Sequence, residues 1–207
     1  NTANDTLTNY LDAPFYRGIL TGLNDAFIID EEVARQFSEA AHFDGLIRPL
    51  LKGSDVHRYE VQFEDRFLIR IPSGWTESRT GISNQERAWE WFQTEYPDLA
   101  EHLAPYESQA KERHDRGEFW WELRPCDYYS EFEGEKIVYP VIADGPNFAL
   151  DTEGYYINDK CYTIPRSDDA LLAVLNASLS EFWVQAELSG LRGGFQEFRA
   201  VHVKQIP

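Results

Sequence analysis

Five short apolar runs follow one another between Phe119 and Pro165: FWWELRP, KIVYP, NFALD, GYYIN and KCYTIP. Each is rich in β-branched and aromatic residues. Pro, Gly, Asn and Asp punctuate the intervals, which is the pattern of strands separated by turns. A chain with this stretch at its centre must build a sheet. The pair around Asn158-Asp159 predicts a hairpin. From Ser167 the period changes. DDALLAVLNASLSEFWVQAEL carries leucines on one helical face, with Ser167 as its cap and a bend expected near Asn176. This change marks the subdomain boundary, giving residues 1–166 and 167–207. The loop SGLRGGF and a closing strand AVHVKQIP complete the chain.

The first third predicts strands with one helix. FYRGILTG is a strand entering a glycine turn at Thr21-Gly22-Leu23-Asn24, and AFIID is a second short strand. Asp30 caps EEVARQFSEAA, whose acids occupy the first turn where the helix dipole favours them. VHRYEVQF and RFLIRIP flank Glu64-Asp65 as a predicted hairpin. In the middle, Ser83 and Glu86 form a capping box ahead of RAWEWFQTEY. Pro97 and Pro105 punctuate the next helical stretch, and Gly117 closes YESQAKERHDRG as a C-terminal glycine. The fold class is α+β.

At 207 residues and 43% hydrophobic, the chain can bury a core. No window reaches the roughly 18 continuous apolar residues of a membrane span. The N-terminal stretch has no basic or apolar region of the signal-peptide kind, and a first residue Asn with no Met predicts a fragment of something longer. Cys126 and Cys161 do not form a CxxC pair, and two reduced thiols in a cytoplasmic protein are expected over one disulfide.

The net charge is −17, which opposes simple nucleic-acid binding. The charge is uneven, however. Asp25 to Asp44 holds six acids against one Arg, whereas Leu188 to Pro207 sets Arg192, Arg199 and Lys204 against Glu197. Of the 19 basic residues, 14 are Arg, the better residue for bidentate contacts with phosphate or guanine. Excess carboxylate with little Lys also suits a high-salt cytoplasm. A folding titration against KCl that shows no salt requirement would remove that idea.

Most catalytic chemistries are excluded. Carboxylate–metal nucleases place an acid two residues before a lysine, and here those positions hold Leu50, Gln109, Gly134, Asn158 and His202. His202-Val203-Lys204 has no downstream acid. GxSxG, P-loop, HExxH and GxGxxG motifs do not occur. Histidines 42, 57, 102, 114 and 202 have no ligand spacing, so no metal site is expected. What remains is binding. Aromatic-plus-Arg surfaces suit sugars, which stack on Trp and Tyr, or nucleic acids.

Six blocks in order resemble one family: YRGILTGLNDAFIID, IRPLLKGSDVHRYE, WWELRPCDYYSEFEGEKIVYPVI, GYYINDKCYTIP, LLAVLNASL and the closing QIP. Together they resemble the TaqI-like C-terminal specificity domain, the target-recognition part of adenine-N6 DNA methyltransferases and of fused type II restriction-modification enzymes active in phage defence. The resemblance implies a β-rich recognition body with helical insertions, followed by a C-terminal α-hairpin. The Asn-Pro-Pro-aromatic motif and the S-adenosylmethionine site of the catalytic half are absent from these residues. The implied partners are double-stranded DNA and an N-terminal methyltransferase domain of the same chain, with no membrane. S-adenosylmethionine is expected in the parent enzyme, whose missing domain flips and methylates the adenine.

The resemblance also frames candidate DNA contacts. Arg124, with Trp121 as the second indole of the WW pair, would face the DNA cleft. The alternative is that both indoles are core and Arg124 pairs with Glu122 or Asp127. Thr21 and Asn24 in the glycine turn offer groups to a phosphate, or simply make a tight turn. Lys52 precedes Gly53-Ser54 in a block like the family's, and Arg79 lies in the polar loop TESRTGIS. Arg113, Arg116, Lys136, Lys160 and Arg192 are added by charge and placement. Two further readings stand beside this one: a carbohydrate-binding module using the tryptophans, and a protein-interaction module of a phage-defence assembly.

Overall fold

The run KIVYP becomes a strand, Lys136–Pro140, buried at every residue, as a continuous apolar run implies. Cys161–Ile164 and Ala149–Asp151 flank it, both antiparallel, and Tyr16–Arg17 adds antiparallel to Cys161–Ile164. The register Tyr162↔Tyr139 places two rings side by side, stacked at 5.7 Å. The computed structural model describes residues 6–11, 13–37, 39, 41, 44–188 and 190–207. It is an α+β fold, and its chain divides into two compact units.

The first unit comprises Asn1–Ile19, Leu51–Glu64 and Tyr128–Pro207. Its core joins the sheet residues Ile137, Tyr139 and Ile164 to Leu172, Leu175 and Val184 of the C-terminal helices. Residues 136–164 and 167–207 thus fall in one unit, so the division does not follow the boundary read at Ser167. The expected α-hairpin is present as Asp169–Leu175 and Ser178–Glu187. Asp168, not Ser167, caps it, accepting from Leu171 N at 3.0 Å. At Asn176 the helix ends instead of bending. The Asn176 amide exchanges two hydrogen bonds with the backbone of Phe148, which fixes the break. The closing stretch is also not a strand: Ala200–Val203 is a helical turn. Its neighbour Gln196–Glu197 pairs with Ile142–Ala143.

The second unit comprises Leu20–Leu50 and Asp65–Asp127. Arg66–Ile69 lies between Ile28–Asp30 and Ile47–Leu51, antiparallel to both. The hairpin expected across Glu64-Asp65 therefore does not form. Val56–His57 pairs with Glu60–Val61 instead, and Asp65 takes a left-handed φ of 46°. Asp30 caps Glu31–Gln36 as expected, accepting from Val33 N at 2.9 Å. Of the rest of that predicted helix, Ser38 and Ala40 lie outside the described residues. Asn84, not Ser83, caps Gln85–Glu95, accepting from Arg87 N at 3.0 Å. The next helical segments, Pro97–Leu103 and Glu107–Glu112, end before Gly117. Gly117 does not cap a helix. Its N–H donates to Glu122 O at 3.1 Å, and a Cβ there would lie 2.6 Å from the Glu122 Cβ.

FWWELRP is not a strand. Trp120, Trp121, Glu122 and Leu123 are all buried, and the backbone turns at Trp120 and Trp121 instead of extending. A turn closed by Glu122 N–H to Phe119 O at 3.1 Å folds the segment under the Gln85–Glu95 helix. There Trp89 packs on both indoles, and Phe119 stacks on Trp121 at 4.7 Å. Trp121 Nε1 donates to Thr76 Oγ1 at 3.0 Å. The buried Glu122 carboxylate accepts from Gly74 N and Thr76 N. The Glu122 carboxylate is therefore an internal strut for this turn, while Arg124 stays exposed. Both cysteines are free; Cys161 is buried, which pushes its thiol pKa up. Among the described residues, no helix is long and apolar enough to cross a membrane, and no group of three His, Cys, Asp or Glu could hold a metal.

Candidate nucleic-acid interface

In the first unit, five stretches of sequence converge on one corner. The strand Tyr16–Arg17 ends at Gly18, whose N–H donates to Cys161 O at 3.0 Å, and Ile19 N–H donates to Ile157 O at 2.7 Å. A Cβ on Gly18 would fall 2.0 Å from Asn158 O, so only glycine permits this approach. Asn158 N–H donates to Leu51 O at 3.0 Å, which brings in the Lys52 block. At Gly53 a Cβ would meet Lys160 O at 3.3 Å. Val141 then joins twice: its N–H donates to Lys160 O and its carbonyl accepts from Phe198 N, both at 2.7 Å.

Two surface depressions of about 300 Å³ each share Val141 at this corner. One holds Lys52, Ser54, Ile142 and Lys160; the other holds Arg17, Tyr162, Glu197 and Arg199. Four cations thus surround a small, partly apolar patch, with Ile142 half exposed. The turn Asn158–Lys160 fixes two of them. Asn158 Oδ1 accepts from Lys160 N at 3.1 Å, and Cys161 N–H closes onto Asn158 O at 2.9 Å. Asp159 Oδ2 holds Lys160 Nζ at 2.6 Å and Arg17 Nη2 at 3.4 Å. Arg199 Nε lies 2.8 Å from Glu197 Oε1. Beneath the patch, buried Asp55 accepts from Lys52 N at 2.8 Å and Ser54 Oγ at 2.9 Å.

Of the predicted contacts, Lys52 and Lys160 belong to this corner. Arg192 lies in the same unit, exposed, in a loop closed by Leu191 N–H to Phe195 O at 2.6 Å. Arg17 and Arg199 were missed. The signal was available for Arg17, because it directly precedes a glycine in the first family-like block.

Lys136 is corrected: it is fully buried, bonded to Asp151 and to Phe132 O at 2.7 Å. Burial holds its ammonium below the usual range, against the pull of Asp151. Asp151 in turn accepts from the backbone N–H groups of Glu153, Gly154 and Tyr155. The pair locks the turn after Ala149–Asp151 and reaches no ligand.

In the second unit, three more contacts are corrected. Trp121 is fully buried. Arg113 is buried too, its guanidinium bonded to the carbonyls of Thr21, Trp120 and Glu122 and lying over Phe27 at 4.3 Å. Burial, helped by Arg116, lowers its pKa to about 10. Thr21 is buried, donating to Asn24 Oδ1 at 2.7 Å while accepting from Leu23 N, so its turn is closed on itself. Gly22 carries the positive φ of 68° there. Asn24, Arg79, Arg116 and Arg124 are exposed. Arg79 is clamped by both oxygens of Asp44 at 3.0 and 2.9 Å. Arg116 reaches Lys111 O, and Arg124 pairs with Asp115 at 3.2 Å, not with Glu122 or Asp127.

None of the six tryptophans is exposed.

Residues 48–207 match the family model of the TaqI-like C-terminal specificity domain. No curated protein matches the sequence. The fold is similar to part of the Type IIL restriction-modification enzyme MmeI in its complex with DNA, with a TM-score of 0.53 at 11% identity over 93% of this chain. That match takes up 24% of the MmeI chain, so this chain spans about a quarter of the enzyme's length. With most of its length matched by the family model, this chain belongs to the TaqI-like C-terminal specificity domain family.

Proposed function

We propose that this chain selects the target sequence on double-stranded DNA for a type II restriction-modification methyltransferase that modifies adenine at N6. The observation that carries the reading is the convergence of five segments to present Arg17, Lys52, Lys160 and Arg199 around Val141 and Ile142. The cations grip phosphates and set the register on the duplex. The apolar patch is suited to a base edge, with Ile142 able to meet a thymine methyl. The methyl transfer and the S-adenosylmethionine belong to another domain of the same protein, which takes the adenine out of the stack. Such an enzyme acts in the cytoplasm and marks host DNA in defence against phage. The half-buried or buried state of every tryptophan speaks against the sugar-binding alternative.

The test is a map of N6-methyladenine in DNA from cells carrying the intact gene, beside cells carrying Arg17→Gln with Lys160→Gln. Methylation at one short motif is expected, lost or relaxed in the double variant. Absence of any motif-specific N6-methyladenine in the wild type would overturn the adenine reading. An unchanged motif in the double variant would move the recognition face away from this corner.

A further inference from the structure

The proposed DNA face carries its own counter-ions. Asp159 is 9% exposed, yet its carboxylate holds two of the four cations, and its carbonyl accepts from Arg17 Nε at 3.1 Å. Glu197 holds a third, Arg199. Both acids are set by backbone, Asp159 by the Asn158–Cys161 turn and Glu197 by its pairing with Ile142. Lys52 is the cation of the four with no ion pair among the described residues.

A phosphate that approaches Arg17 or Lys160 must therefore displace a fixed carboxylate or sit beside it. Acids more than a Debye length away, about 10 Å at 0.1 M salt, are screened, and the nearby Asp55 is buried and committed to Lys52 N and Ser54 Oγ. Asp159 and Glu197 lie within 4 Å of the cations and act directly. The cation of each pair is more than half exposed, so exchange with phosphate is open to a ligand that adds other contacts. A random duplex offers phosphates alone, whereas a cognate one adds base-edge contacts.

We propose that Asp159 and Glu197 are specificity-determining residues: built-in competitors for DNA phosphate that suppress binding to non-cognate duplex. This rests on the DNA reading above. The competitors work by opposing the wrong ligand, not by attracting the right one.

The experiment compares the purified full-length protein with its Asp159→Asn and Glu197→Gln variants. Binding to a labelled random-sequence duplex and to the mapped target is measured by fluorescence anisotropy across a KCl series. Each variant is expected to bind the random duplex several-fold more tightly near about 0.1 M salt. Its log–log salt slope should steepen by up to about 0.9 per phosphate newly engaged. Affinity for the target should rise less, so the ratio of target to random binding falls. If neither variant tightens random-duplex binding, the competitor role is overturned. Glu197→Gln lies on a separate segment and carries the test alone if Asp159→Asn melts early. Arg17→Gln with Lys160→Gln, measured in parallel, separates two failures. Wild-type binding by that variant means the corner is not the DNA face. Weakened binding there, with both acid variants unchanged, means only that the competitor role is wrong.

Discussion

Single residues show how far side-chain type misleads without burial. Lys136 has the charge of a phosphate contact but is committed to Asp151 inside the first unit. Replacing it with Met leaves a buried carboxylate without its cation and should destabilise the fold by about 3–5 kcal/mol in urea titrations. A loss below about 1 kcal/mol would mean that Asp151 is adequately satisfied by its three backbone donors. Gly18 makes the opposite point, since it bears no chemistry yet permits the corner. Gly18→Ala sets a Cβ against Asn158 O and should lose about 1–3 kcal/mol by overpacking. Tyr96 supplies a pH signature. Burial, then its hydrogen bond to Asp44, raises its pKa from 10.0 to about 12. The folded state therefore holds the proton more tightly than the unfolded state. Stability from this group is full below pH 10 and declines as pH rises toward about 12. Denaturation at pH steps across that window should show the decline in the wild type and less of it in Tyr96→Phe.

Among the elements, the sequence is most legible where one local rule decides. The strand Lys136–Pro140 and the Asp30 cap follow from an apolar run and cap chemistry. Errors arise where two neighbours compete for one role or where partners are distant. Ser83 and Asn84 are both good caps, and only the backbone path selects Asn84. Asn84→Ala should therefore cost about 1 kcal/mol of stability, and Ser83→Ala less than about 0.5 kcal/mol. Equal losses by thermal melting would be incompatible with the observed cap. The FWWELRP run reads as a strand because its residue types favour one. The turn is imposed from outside the run, by Arg113, by Trp89 and by the backbone donors of Gly74 and Thr76 that hold Glu122. The corner was half legible. Lys52 and Lys160 stand in family-like blocks, but nothing local says that Arg199 meets Arg17 across Tyr162.

For the molecule as a whole, net charge is a poor guide to its partners. At −17 the chain carries its acids mainly outside the corner, and the cations there act within a screening length of anything docked on them. Everything proposed for function depends on Arg17, Lys52, Lys160 and Arg199 meeting DNA phosphates. The salt dependence of duplex binding decides this, measured on the full-length protein beside a variant with all four changed to Gln. Binding should weaken in the variant, with a log–log slope shallower by up to about 0.9 for each phosphate no longer engaged. The same affinity and slope in both proteins would show that these four cations do not touch the duplex.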